Sequence, residues 1–335
     1  MEFRTHPSVP YIDVHWRGRD LTKMVHVTYE DIRKILKAHD KEISIGPPDS
    51  ELEYNELKTA LEAVVKPNDQ TPVAVLGIDV YRYSQQADSL RQSLVPFVLR
   101  MLYQTTWAKC CKESQYLFQK YTASDYNEHF IDTGDGGYLL FDTPIHALIF
   151  AINFEIMLRL FNSFWWYPGL RTVLGEEISL RYAVTYGGVF SFGTNFYGPS
   201  IITNARMLGK DHLNRFLIDQ YTFGWFVKSI RGIENIPCVG LQDLKNLPEF
   251  GEYDPSLMDK ESSAFFQKEG TAEAKSHWKD IDVLKLGDIT VKAQTMCVYG
   301  LHIHYVSTLV AHNDRKKRKI PVTITLGNLN TSGIE

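Results

Sequence analysis

The sequence has little cysteine, no excess of positive charge and no long apolar run. Only four of its 335 residues are cysteines and two of those are adjacent, so it lacks the spaced pairs of a structural zinc site or a disulfide framework. Lysine and arginine number 36 against 40 aspartate and glutamate, a formal charge of −4 that gives no overall attraction for polyanions. These absences predict a cytoplasmic protein with reduced thiols that binds neither nucleic acid nor a membrane.

The most apolar stretch, residues 147–161, includes an Asn, a Glu and an Arg and is shorter than the roughly 20 residues of a membrane span. We therefore expect a buried helix there. The first twenty residues are polar and lack the apolar core and cleavage site of a secretory signal. With 44% hydrophobic and 23% charged residues, the chain has the composition of a globular protein, not of a disordered one.

Helical patterns at 28–39 and about 51–66 precede the polar segment PNDQT and then the apolar run VAVLGIDVYRY, which predicts a buried strand. We therefore predict a helical lead-in over residues 1–69, a main domain over 70–307 and a basic tail over 308–335. In the tail, RKKRK is a short run of the kind that is normally solvated, and IPVTITL after it suggests an edge strand or a contact with a partner chain.

The main domain mixes hairpins with helices. After the first strand the sequence predicts a helix from about Leu90 with Pro96 at its start or at a kink, a hairpin at 129–141, a helix at 144–167, a strand at 178–192, a short helix, a patternless stretch at 246–280 and a hairpin at 288–305. This order is typical of an α+β fold in which a mainly antiparallel sheet is covered by helices.

Two acidic residues stand out. Asp79 ends an apolar strand, where a carboxylate costs free energy unless it is paired or binds a cation, and Asp135 lies between glycines that would let a bulky ligand approach the backbone. If the two strands are neighbours, the carboxylates converge on the oxygen-rich environment that Mg²⁺ or Mn²⁺ prefers, and such ions bring phosphates with them. Taken singly, a strand-end cap explains Asp79 and a simple Asp-Gly turn explains Asp135.

Four segments also match the successive motifs of one family: GIDVYRYS at 77–84, FIDTGDGGYLLF at 130–141, LRYAVTYGGVFSFG at 180–193 and FYGPSIITNARML at 196–208. In this order, over about residues 72–305, the chain resembles the class III nucleotidyl cyclases. The resemblance implies the catalytic fold of that family, which is ferredoxin-like, with an N-terminal helical extension here. It also implies a homodimer whose active sites are shared between two subunits.

The resemblance assigns catalytic roles to Asp79, Asp135 and Arg206. Asp79 and Asp135, with the main-chain carbonyl of Val80, would hold two Mn²⁺ or Mg²⁺ ions that activate the ribose 3′-hydroxyl and neutralise the leaving pyrophosphate. Arg206, from the other subunit, would stabilise charge at the α-phosphate. A solvent-exposed helix cation is the alternative for Arg206.

Substrate contacts are implied for a second group of residues. Main-chain N–H groups of residues 80–84 would meet the phosphates, with Arg82 and Ser84 as side-chain candidates, and Tyr81 and Tyr83 lie near the expected pocket. Lys292 resembles the lysine that binds the terminal phosphates. A solvated strand-end charge is the alternative for Arg82, and a solvated strand lysine is the alternative for Lys292.

The base-reading positions depart from the purine-specific members. The Lys or Glu that binds a purine is replaced by Ile131, and the second base reader is Asn195, where adenylyl cyclases commonly have Asp. The ribose-orienting Asn falls on Ile202, and an Asn occurs at 204 instead. Because the chemical centre is kept and the base reader is changed, the chain most resembles the bacterial pyrimidine cyclases of antiphage defence.

That resemblance predicts conversion of UTP or CTP to cyclic UMP or cyclic CMP, which activates a separate effector protein. UTP is favoured over CTP only on the habit of the family. The alternatives are an adenylate or guanylate cyclase, a nucleotide-binding pseudo-cyclase without turnover and, last, a diguanylate cyclase, whose hairpin carries a second adjacent acidic residue that TGDGG lacks.

Overall fold

The computed structural model describes residues 26–39, 51–65, 72–85, 88–192, 195–260, 276–291, 294–310, 319–328 and 330–334. The strands are β1 His26–Val27, β2 Pro72–Val80, β3 Phe130–Asp132, β4 Gly136–Phe141, β5 Leu180–Gly188, β6 Phe190–Phe192, β7 Asn195–Tyr197, β8 Phe216–Asp219, β9 Ser276–Val291, β10 Gln294–Val310 and β11 Lys319–Leu326. The helices are α1 Tyr29–His39, α2 Glu51–Val65, α3 Ser89–Glu113, α4 Pro144–Asn162, α5 Pro168–Leu174, α6 Pro199–Lys210, α7 Gln220–Ile230 and α8 Leu241–Lys245.

The central sheet has eight strands. Its order is β11-β10-β8-β5-β2-β4-β3, and outside this order β9 pairs with β10. Within it, β2, α3, β3, β4, α4 and β5 form a β-α-β-β-α-β unit whose strands lie in the order β5-β2-β4-β3, each antiparallel to its neighbour. This is the ferredoxin-like arrangement, and it confirms the predicted α+β class with a mainly antiparallel sheet.

Helices cover both faces of β2, which explains its continuous apolar run. Side chains alternate along a strand. One face of β2 meets the core formed with α3 and α4 and carries Ala74, Leu76, Ile78 and Val80. The other face lies toward α6 and carries Val73, Val75, Gly77 and Asp79. Asp79 is therefore on the α6 side of the sheet.

The apolar stretch predicted as a buried helix is α4. Among the described residues it is the one helix long and apolar enough to cross a membrane, but 89% of that stretch is buried inside the protein, where α4 packs on β2, β4 and β5. It ends at Asn162, earlier than the predicted 167. Phe164 and Tyr167 have positive φ angles of 61° and 49°, and Pro168 follows, so the helix cannot continue through this segment.

The second half of the chain departs most from the sequence prediction. The stretch predicted as patternless ends in a strand, because β9 begins at Ser276, and the predicted terminal hairpin is the long β9–β10 pair. IPVTITL forms most of β11, an edge strand antiparallel to β10, as predicted. All of PNDQT and most of RKKRK lie outside the described residues, and the division into three domains stays a prediction.

Candidate active site

Asp79 and Asp135 lie on adjacent elements at one end of β2. Asp79 pairs with Gly136 in the β2–β4 register, so the tip of the β3–β4 hairpin reaches the end of β2. The N–H of Val80 donates to the carbonyl oxygen of Asp135 at 3.1 Å, which fixes that tip against the strand. The structure therefore brings together the two carboxylates that the sequence singled out.

The glycines of the β3–β4 hairpin are required by its backbone conformation and close packing. Gly134 has a φ of 91°, a conformation that L side chains rarely adopt. A Cβ on Gly136 would overlap the carbonyl oxygen of Ile78, and one on Gly137 would overlap the ring of Phe130. Strand-to-strand packing accounts for Gly136 and Gly137 and the turn accounts for Gly134, while the interpretation that the glycines beside Asp135 clear space for a ligand stays a prediction.

Asp79 is only 18% exposed and forms an ion pair with Arg181, in which the guanidinium Nε and Nη2 each lie 2.6 Å from the carboxylate Oδ2. Burial raises the pKa of Asp79, Arg181 opposes that increase, and the charge of Asp135 adds to it. The repulsion between the two carboxylates shows that they share one electrostatic environment, which a cation would stabilise.

Arg181 is a site residue that sequence reasoning missed. It lies directly opposite Asp79 in the β2–β5 register, and its Nη1 also donates to the carbonyl oxygen of Asp211 at 2.5 Å. An arginine inside the apolar strand LRYAV is as costly unpaired as an aspartate at the end of one. The charge inside an apolar strand was visible in the sequence, but its partner could be identified only from the strand register.

More main-chain N–H groups at the end of β2 and in the loop after it are hydrogen-bonded within the protein than predicted. The N–H of Val80 is bound to Asp135 and that of Tyr81 to the carbonyl oxygen of Ser179 at 2.9 Å, so neither of these two amides is free for a phosphate. The amides of residues 82–84 keep that predicted role. Ser84 is exposed. The carbonyl of Val80 as a metal ligand stays a prediction.

Side chains of this loop are also engaged. The hydroxyl of Tyr81 donates to the carbonyl oxygen of His212 at 3.0 Å, and the guanidinium of Arg82 lies 4.9 Å from the Tyr81 ring centre. The hydroxyl of Tyr83 donates to the carbonyl oxygen of Gln92. Tyr83 therefore has a structural role that the sequence did not indicate.

Arg206 does not join the carboxylates of its own chain. The side of α6 that packs on the sheet carries Thr203, Asn204 and Met207, whereas Arg206 lies on the outer side with Ile202. Within the described part of the chain, Arg206 has no hydrogen bond or ion pair. Its guanidinium is thus available to another molecule.

Asn204 anchors α6 to the sheet. It is fully buried, and its Nδ2 donates to the carbonyl oxygens of Val75 at 2.8 Å and Ala183 at 2.9 Å. A Cβ at Gly77 would overlap its Oδ1. Asn204 therefore does not replace the ribose-orienting amide that is missing at Ile202.

The predicted base-reading residues lie apart from these contacts. Ile131 is partly exposed and pairs with Tyr138, which lies opposite Gly77 and so shares the Asp79 face of the sheet. Burial, Asp79 and Asp135 raise the pKa of Tyr138, so its phenol stays neutral near the carboxylates. Asn195 is exposed at the start of β7. Lys292 lies outside the described residues.

The donor set fits a hard divalent cation. Within the described ranges, no three His, Cys, Asp or Glu side chains are grouped as a metal site would require. Two carboxylates alone suit Mg²⁺ or Mn²⁺, which keep waters and take further oxygens from substrate phosphates, and they do not suit a closed zinc site. A cation here would therefore depend on the substrate for part of its coordination.

A cavity of about 380 Å³ lies elsewhere. Its lining includes Glu155, Arg159 and Tyr182 and contains none of the predicted site residues. Glu155 accepts hydrogen bonds from Tyr182 at 2.8 Å and Arg159 at 2.7 Å, so its carboxylate is already satisfied. Asp79 and Asp135 instead occupy the end of a sheet face.

No protein-family model matches this sequence, and no curated protein matches it. Solved structures similar to it include the catalytic core of a rhodopsin-guanylyl cyclase with converted specificity in complex with ATPαS, at 14% identity and a TM-score of 0.40 over 69% of this chain and 96% of that one. An adenylate/guanylate cyclase/hydrolase from Silicibacter pomeroyi is also 14% identical, with a TM-score of 0.39 over 69% of this chain and 95% of that one.

The adenylyl cyclase CyaB from P. aeruginosa is 12% identical, with a TM-score of 0.37 over 69% of this chain and 93% of that chain. These structures are described as guanylyl and adenylyl cyclases, the kind of protein whose motifs the sequence resembles. At this level of similarity neither their activities nor their substrates transfer to the chain.

Proposed function

We propose that the chain is a metal-dependent nucleotidyl cyclase that converts a ribonucleoside triphosphate to a 3′,5′-cyclic nucleotide and pyrophosphate. The observation that carries the proposal is the closeness of Asp79 and Asp135 at one end of β2, where Asp79 lies opposite Gly136 and the hairpin tip is bonded to Val80. Two converging carboxylates on a rigid sheet form a site for the cation of a nucleotide triphosphate.

In the reaction, the 3′-oxygen bonds to the α-phosphorus, the bond from that phosphorus to the pyrophosphate oxygen breaks, and the hydroxyl proton passes to water. Divalent cations bound at such a site lower the pKa of the attacking hydroxyl and offset the charge of the leaving pyrophosphate. Asp79 and Asp135 would hold them. Arg181, beside Asp79, and the amides of residues 82–84 would be the donors that phosphates bound there could meet.

The active form is proposed to be a homodimer. Arg206 faces away from the sheet that carries Asp79, so it reaches a site of this kind only when it belongs to a second copy. A two-fold dimer supplies that arrangement twice, because each subunit gives its carboxylates to one site and its arginine to the other.

We propose a pyrimidine substrate, with UTP favoured over CTP. An aliphatic side chain at Ile131 offers no hydrogen bond to a purine edge, and Asn195 is exposed and can donate or accept. The resemblance to pyrimidine cyclases supports the remaining parts of the proposal: a cytoplasmic enzyme of bacterial antiphage defence whose cyclic UMP or cyclic CMP activates a separate effector.

Incubating the purified protein with each of the four ribonucleoside triphosphates and Mn²⁺ or Mg²⁺, with products identified by mass spectrometry, tests the proposal. We expect cyclic UMP or cyclic CMP as the main product and no turnover after removal of the divalent ion. Cyclic AMP or cyclic GMP as the main product would contradict the pyrimidine assignment and keep the cyclase.

Asp135→Asn supplies the matched variant, because it keeps the size of the side chain and removes the charge. We expect loss of turnover by at least about a hundredfold with an unchanged unfolding temperature. Nucleotide binding without turnover in the wild-type protein, unaffected by Asp79→Ala, would instead identify a pseudo-cyclase.

A further inference from the structure

A buried ion pair, Asp211–Arg215, is connected to Asp79 through Arg181. Asp211 and Arg215 are 0% and 2% exposed, and the Nε of Arg215 lies 2.7 Å from Oδ1 of Asp211. Such a pair is tolerated only when its remaining donors and acceptors are satisfied. The backbone N–H groups of Leu213 and Arg215 donate to the Asp211 carboxylate at 3.3 and 3.2 Å.

A further donor of this pair is bound by the C-terminal segment. Nη1 of Arg215 donates to the carbonyl oxygen of Ser332 at 2.7 Å. On the opposite side, the carbonyl oxygen of Asp211 accepts from Arg181, which is paired with Asp79. An unbroken series of contacts of 2.7 Å or less thus joins Ser332 to Asp79.

The segment is itself held in place. Asn328 donates to the carbonyl oxygen of Asn214 at 3.1 Å, and two successive side-chain turns at Asn328 and Asn330 order the backbone up to Ser332. Ile334, 6% exposed, enters the apolar cluster that contains Met207 and Leu208 of α6. The segment therefore enters the apolar cluster that α6 also joins, and it contacts the ion pair that is linked to Asp79 through Arg181.

We propose that residues 330–334 act as a strap that positions the catalytic centre, with Arg215 as the positioning residue between the strap and Asp79. The inference rests on the proposed function, because it takes Asp79 as a catalytic metal ligand. Arg215 holds Asp211, the carbonyl of Asp211 holds Arg181, and Arg181 fixes the carboxylate of Asp79. The strap thereby limits the orientations that this carboxylate can take.

Arg215→Lys breaks the link while keeping a cation opposite Asp211. Ser332→Ala is the matched control, because the strap contact uses the main-chain carbonyl and not the hydroxyl. Amide hydrogen exchange is measured by mass spectrometry on the metal-free protein. We expect faster exchange at the amides of residues 211–216 and 179–182 in Arg215→Lys and in a chain ending at Asn328, and no change in Ser332→Ala.

The kinetic arm uses a double-mutant cycle. In Arg215→Lys we expect kcat to fall about tenfold, as misplacement of a catalytic group by less than about 1 Å does, with KM changed less than about twofold. In an Arg181→Met background the same substitution should change kcat little, because the connection to Asp79 is already lost.

The exchange result separates this inference from the proposed function, since it is measured whether or not the protein turns over nucleotide. Uniformly faster exchange across the sheet would show that the strap contributes only to global stability and would overturn the proposal. So would unchanged exchange at residues 211–216, or additive losses of kcat in the double variant.

Discussion

At the scale of single residues, local patterns predicted the acidic pair but not its surroundings. Asp79 and Asp135 could be predicted because a strand end and a glycine-rich turn are recognisable from a few consecutive residues. Arg181 is distant in sequence from Asp79 and meets it through the pairing of β5 with β2, and the carbonyl of Asp211, directly after α6, accepts from Arg181. A one-residue shift of register would move Arg181 to the other face, so the sequence alone could not establish the contact.

Tyr83 and Pro96 show a second pairing of this kind. Pro96 lies inside α3, where it lacks the N–H that would donate to the carbonyl oxygen of Gln92, four residues earlier. The hydroxyl of Tyr83 donates to that oxygen instead. The sequence indicated a late start or a kink at Pro96. The late start is wrong, because α3 begins at Ser89 and continues through the proline, and the kink stays a prediction.

This pairing leads to a testable expectation. Tyr83→Phe should lower the free energy of unfolding by about 1 kcal/mol, because the carbonyl of Gln92 loses its donor. In a Pro96→Ala background the helix supplies its own N–H to that carbonyl, so the same substitution should cost much less. Urea unfolding of the four proteins measures the difference, and equal losses in both backgrounds would refute the pairing.

At the scale of elements, the junction of β8 and α7 depends on a buried carboxyl. Asp219 ends β8 and caps α7, where its Oδ1 accepts the N–H of Thr222 at 2.8 Å. Burial raises the pKa of Asp219 to about 7, although its hydrogen bonds with Thr222 oppose the increase. The folded protein therefore keeps this proton at pH values where the unfolded chain has released it.

The sign of the pH dependence follows. Between about pH 4 and pH 7 the folded state binds the proton more tightly than the unfolded state, so this group's contribution to stability falls as the pH rises through that window. Asp219→Asn keeps the cap and removes the titration. We expect the variant to gain stability relative to the wild type as the pH rises from 5 to 8.

Urea unfolding at pH 5, 6, 7 and 8 measures that difference. Asp88→Asn, at the exposed N-cap of α3, controls for the change of cap chemistry. A stability difference between Asp219→Asn and the wild type that is constant across this range would contradict the assignment.

Helices and strands were predicted correctly where local sequence signals mark their ends. They were not predicted where the element depends on pairing with a strand that is remote in sequence. The helix at Tyr29–His39 and the β3–β4 hairpin lie within the predicted ranges, because a cap and a glycine turn mark their ends. The part of β9 before Asp288 was not predicted. Its residues alternate weakly, and the strand depends on pairing with β10 along nearly its whole length.

At the scale of the whole molecule, the single chain carries the two halves of the proposed site on different surfaces. Asp79 and Asp135 lie at one end of the sheet, and Arg206 lies on the outer side of α6 with no partner among the described residues. A cyclase built this way is inactive as a monomer. Its activity should depend on protein concentration and should be recoverable from two inactive variants.

Mixing Asp135→Asn with Arg206→Ala tests this arrangement. Each variant alone destroys both sites of its homodimer, but a heterodimer has one site with intact carboxylates and an intact arginine. Random exchange of subunits in an equal mixture should therefore restore about a quarter of the wild-type activity, since about half of the dimers are mixed and each has one working site.

The control is a mixture of Asp79→Asn with Asp135→Asn, whose defects fall in the same half-site and cannot complement in any dimer. Turnover is measured after equilibrating the subunits at a concentration where the wild type is fully active. If Arg206 acted on the carboxylates of its own chain, each subunit of the mixed dimer would carry one defect. Neither mixture would then recover, and this arrangement of the dimer would be wrong.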